Sequence, residues 1–125
     1  MDNKEQQAGK ETLTNSLINM AAESMRFSRL FERLLLKLDA GEQTRYRSQF
    51  QWFLKKVEEA LGDAGMHIVN VEGENFDPGM AATPINIEDF DKNDDLIVEQ
   101  MIEPIIMGSE GLIRSGTVIL RKVEE

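Results

Sequence analysis

Apolar residues in the first half of the chain fall on a helical period. Leu13, Leu17, Met20, Ser24, Phe27, Phe31, Leu34 and Leu38 are separated alternately by four and three positions. This repeat is that of a coiled-coil or helix-bundle seam, and only Ser24 interrupts its apolar character. It predicts a helix from about Glu11 to Leu38, with Leu30, Leu35 and Leu36 widening the apolar face near its end. Asp39-Ala-Gly41 marks the stop, with Gly41 free to take a left-handed conformation there. A second set, Tyr46, Phe50, Phe53, Leu54, Val57 and Leu61, predicts a helix from Glu42 to Leu61. So short a link makes an antiparallel hairpin. Residues 1–10 are polar and read as a disordered tail.

The period changes between Gly62 and Gly65. Beyond it, Met66-His-Ile-Val-Asn-Val71 alternates as a short strand. Gly73-Glu-Asn-Phe76-Asp77-Pro78-Gly79 then reads as a turn that buries its one aromatic ring. Asp77, held extended by the proline after it, can accept backbone N–H groups of the following turn. Pro84–Ile87, Leu96–Ile102, Pro104–Met107, Leu112–Arg114 and Thr117–Val123 are strand-like, the last two hinged at Ser115-Gly116. No segment here has room for a long crossover helix, so pairing is expected to be mainly antiparallel.

The expected fold class is α+β. A helical hairpin over residues 11–62 is followed by a small β-domain over residues 63–125. Two helices with wide apolar faces do not enclose a core by themselves. The pattern therefore predicts a homodimer in which two hairpins form a four-helix bundle. Its interface would be Leu13, Leu17, Met20, Phe27, Phe31, Leu34 and Leu38.

Composition narrows the class of function. There is no run of 18 apolar residues to span a membrane, and no cysteine for a disulfide or a thiolate. The polar start lacks the apolar segment of a signal peptide, so a cytoplasmic location is expected. The net charge of −9 is unevenly placed: residues 63–111 hold 12 acidic residues against one basic, Lys92. Such a surface repels nucleic acid and anionic membranes and favours a partner with a basic or mixed surface. His67 is the only histidine, and no phosphate-binding loop, nucleophile elbow or zinc-protease motif occurs. Asp89, Asp91 and Asn93 share the spacing of calcium ligands. Asp94 and Gln100, however, stand where that loop needs glycine and glutamate. Neither a metal nor a cofactor is expected, nor a catalytic residue. The chain reads as an interaction protein rather than an enzyme.

From Phe53 to Pro78 the chain carries an apolar helix, Leu61-x-x-x-Gly65, an alternating strand and Gly73-Glu-x-Phe76-Asp77-Pro78. Leu112-Ile-Arg114-Ser-Gly-Thr-Val118-Ile-Leu120 follows near the end. This ordered set resembles the GrpE family, the nucleotide exchange factors of DnaK-type heat-shock chaperones, as a short and divergent member. The likeness covers the chain from Phe27 onward. The family's H-E-A-V after F-D-P is here Ala81, Ala82, Thr83 and Pro84, and the first of its two C-terminal arginines is Gly111. The resemblance implies a homodimeric co-chaperone without chemistry of its own. One β-domain would bind the chaperone's nucleotide-binding domain and favour an open cleft that holds ADP poorly. By position, it implies chaperone contacts at Ile102, Arg114 and Leu120, with Gly73, Phe76, Asp77 and Pro78 as scaffold. A GrpE-like adaptor without exchange activity is the alternative.

Overall fold

The computed structural model describes residues 3–124. Two long helices precede six short strands, an α+β arrangement that divides into two compact units at Gly65/Met66.

In the first unit, α1 spans Asn3–Leu35 and α2 spans Ala40–Asp63. The expected tail is helical from Asn3 onward, although the side chains of residues 3–10 are all exposed. The sequence also misplaces the break between the helices. Helix α1 ends at Leu35, and Asp39 caps the start of α2 by accepting the Glu42 N–H at 2.9 Å. Asp39-Ala-Gly-Glu42 is thus a helix beginning, and Gly41 lies inside its first turn rather than in a left-handed stop. The left-handed glycine is Gly65, at φ 77°, just past the C-cap Ala64 of α2.

The apolar seam of α1 divides. Phe31 packs against α2 through Phe50, with stacked rings 5.4 Å apart. Leu17 and Leu38 are half-buried. Leu13, Met20, Phe27 and Leu34, each seven residues from the next, are 53–73% exposed in the single chain. The most buried residues of α1 lie beside the seam: Ile18, Ala21, Ala22, Ser28 and Leu35. Ser28 tolerates burial because its hydroxyl donates to the Ser24 carbonyl at 2.7 Å, one turn back.

The second unit holds two three-stranded sheets. In one, β4 (Ile105–Gly108) lies between β1 (Met66–Val69) and β5 (Gly111–Arg114), all antiparallel. In the other, β6 (Gly116–Lys122) lies between β2 (Ala82–Pro84), which is parallel to it, and the antiparallel β3 (Leu96–Glu103). Mainly antiparallel pairing is therefore present, with one parallel exception. Alternate residues of β6, Val118 and Leu120, point inward, as do Leu96, Val98 and, past a register shift between Val98 and Gln100, Met101 of β3; together with Val71, Ala82 and Ile105 they form the core. Burying each of the larger side chains contributes roughly 1.5–3 kcal/mol.

The strand expected at Pro84–Ile87 is displaced. Strand β2 ends at Pro84, and Ile87–Asp89 is a 3₁₀ turn. Asn86 makes the change possible. Its side-chain amide accepts the Leu120 N–H at 2.9 Å and donates to the Leu120 carbonyl at 2.8 Å, so the side chain replaces the next backbone rung beside β6.

Candidate partner-binding surface

Strand β3 carries two register shifts against β6, at Val98/Gln100 and at Met101/Glu103. The second leaves Ile102 as the extra residue, half-buried. A bulge of this kind re-aims the side chains that follow it. Glu103 comes next, and its two carboxylate oxygens take separate partners. One accepts the Thr117 hydroxyl at 2.9 Å, and the other pairs with the Arg114 guanidinium at 2.8 Å. Arg114 and Glu103 stay about one-third exposed, at 33% and 30%. Beside them Leu112 and Ile113 of β5 are exposed.

Of the three contact positions implied by the resemblance, Ile102 and Arg114 lie at least partly at the surface. Leu120 does not: it is 2% exposed and belongs to the core. The inward alternation of β6 places it there, so it is corrected from contact to core residue. At Gly111, where the family carries an arginine, φ is 117°, a conformation that favours glycine over any side chain.

The segment Gly73–Pro78 is held as scaffold. Gly73, at φ 85°, donates its N–H to the Val98 carbonyl at 2.8 Å, and Phe76 donates to Leu96 at 2.8 Å. Val98 returns a bond to the Glu74 carbonyl at 3.0 Å. The segment thus runs as an extra rung along β3, and the Phe76 ring packs on the core. The Asp77 carboxylate accepts the Gly79 N–H at 3.0 Å, which fixes the turn at Pro78.

Three residues escape a reading by hydrophobic pattern: Glu103 and Gly116, which meet at this surface, and Asn86, which bonds to Leu120 of β6. Gly116 starts β6 where a Cβ would lie 2.7 Å from the Glu103 carbonyl oxygen. The signals were an acid at the end of an apolar strand, an asparagine between isoleucines, and a glycine at the start of a strand.

The acidic loop after the 3₁₀ turn is tied internally. The Asp94 carboxylate accepts the Asp91 N–H at 2.9 Å and pairs with Lys122 at 3.3 Å. Its pKa is lowered, first by that backbone hydrogen bond and then by Lys122, against an opposing desolvation. No group of three or more metal-ligating side chains converges among the described residues. Nor is any helix among them long and apolar enough to cross a membrane. No protein-family model, curated protein or solved structure matches this chain.

Proposed function

We propose that the protein is a GrpE-like co-chaperone, a cytoplasmic nucleotide exchange factor that promotes ADP release from a DnaK-type chaperone. The observation that carries the reading is the ordered residue set from Phe53 to Leu120, whose Gly73–Pro78 portion is built into the β-domain as scaffold. The β-domain binds the open form of the chaperone's nucleotide-binding domain and so shifts a pre-existing equilibrium. It performs no chemistry of its own and needs no cofactor. Ile102 and Arg114 supply contacts, and Glu103 holds Arg114 in place between binding events.

The acting species is a homodimer. Leu13, Met20, Phe27 and Leu34 form an exposed heptad row on α1, and a second copy of the same row covers it most economically.

The deciding experiment is release of a fluorescent ADP analogue from a DnaK-type chaperone of the same source. The protein is expected to accelerate release, and Arg114→Ala to weaken that effect by about tenfold. No acceleration with any such chaperone overturns the reading.

One observation favours the adaptor as a second reading: Arg114 already has a partner in Glu103, and Gly111 replaces the first arginine. Binding to the nucleotide-binding domain without faster ADP release selects it.

A further inference from the structure

A two-lobed groove lies on the β-domain. One lobe, of about 650 Å³, is lined by Phe76, Phe90, Leu96 and Val123, and its charged residues are Asp91, Asp94 and Asp95 against the single cation Lys92. The other, of about 530 Å³, is lined by Met80, Ala81, Ala82, Thr83, Pro84 and Ser115, and no charged side chain borders it. Phe76, Pro78 and Ile87 border both lobes and join them.

The two lobes differ in electrostatic character. The loop Glu88–Asp95 carries five acids and one lysine. Asp94 is paired with Lys122, whereas Asp91 and Asp95 have no cationic partner among the described residues. Ile85 and Ile87 stand 61% and 42% exposed beside the groove. An apolar floor with a net anionic rim at one end selects a ligand that is apolar along its length and cationic toward one end. A nucleic acid or an anionic membrane is repelled by the same rim.

We propose that this groove docks an extended protein segment that carries apolar side chains and, toward one end, lysine or arginine. An apolar side chain enters the uncharged lobe, and the cationic residues lie toward Asp91 and Asp95. Polarity is therefore fixed: the more basic end of the segment points to the acidic lobe. The proposal does not rest on the exchange reading, because its argument uses neither Ile102 nor Arg114.

The probe is a short synthetic peptide with leucines throughout and lysines toward one end, titrated into the full-length ¹⁵N-labelled protein. Two control peptides replace lysine by glutamate or leucine by glycine. Amide shifts are expected at Phe76, Ile87, Phe90, Asp91 and Val123, with the leucine–lysine peptide alone. Neutralising the rim by Asp91→Asn together with Asp95→Asn weakens binding about fivefold. Ile87→Ser, at an exposed position, weakens it about tenfold while leaving the remaining spectrum in place. The absence of shifts at millimolar peptide overturns the proposal. So do shifts that map elsewhere, or equal binding of either control peptide.

Discussion

At the scale of single residues, this protein relies on side chains that stand in for backbone. Asn86 is the clearest case, since one amide satisfies both the N–H and the carbonyl of Leu120. Asn86→Ala leaves two groups of the core strand unpaired and is expected to cost about 1–3 kcal/mol. Urea unfolding followed by the amide signals of β6 measures it. Two glycines make a matched pair of opposite sign. At Gly116 a methyl group meets the Glu103 carbonyl at 2.7 Å and Ile105 at 2.8 Å, so Gly116→Ala is expected to destabilise the β-domain by about 1–3 kcal/mol. At Gly62, within α2, nothing lies within 4 Å, and Gly62→Ala is expected to stabilise the helix by roughly 0.5–1 kcal/mol. Asp94 makes the stability of the β-domain depend on acid. Its folded pKa is below the ordinary value of 3.8, so its contribution is complete above that value and is lost as pH falls through the lower folded pKa. Asp94→Asn removes that part of the acid limb, which an unfolding series between neutral and strongly acidic pH detects.

At the scale of elements, the helical hairpin depends on one cap and on one pair of rings. Asp39→Ala removes the acceptor for the Glu42 N–H, with an expected loss of about 1 kcal/mol. Trp52, the only tryptophan, lies on α2 and reports the transition of this unit by fluorescence. Phe31 has to be distinguished from the exposed members of its heptad. It stacks on Phe50 within the chain, so Phe31→Asp is expected to loosen the hairpin itself and lower helicity by circular dichroism. Met20 and Leu34 are 69% and 53% exposed and can change without disturbing that contact.

At the scale of the whole molecule, the two units have different chemistry. The helical one has no net charge and presents an apolar row, while the β-domain carries the whole net charge of −9. The row predicts self-association. Light scattering at micromolar concentration is expected to return twice the mass of one chain. Met20→Lys combined with Leu34→Lys is expected to return a single chain with helicity retained. A single-chain mass for the unaltered protein removes the dimer from the proposed function.

The helical half was legible because its period is long and sustained: seven apolar positions on one repeat leave no alternative element. The turn from Gly73 to Pro78 was equally legible, since its glycine, proline and aspartate each have one dominant local use. Local chemistry also contained the Asp39 cap, but a nearby glycine competed with it as a stop signal. Three features were decided only by tertiary structure. Which half of the α1 repeat packs on α2 depends on where Phe50 lies. Whether Leu120 faces a partner or the core depends on the register of β6 against β3, and one residue of slip exchanges the two faces. Where β2 ends depends on Asn86 meeting a backbone 34 positions away. The sequence by itself determined period and turn chemistry, which act between near neighbours. Register and facing are set by contacts between distant segments, and no local pattern encodes them.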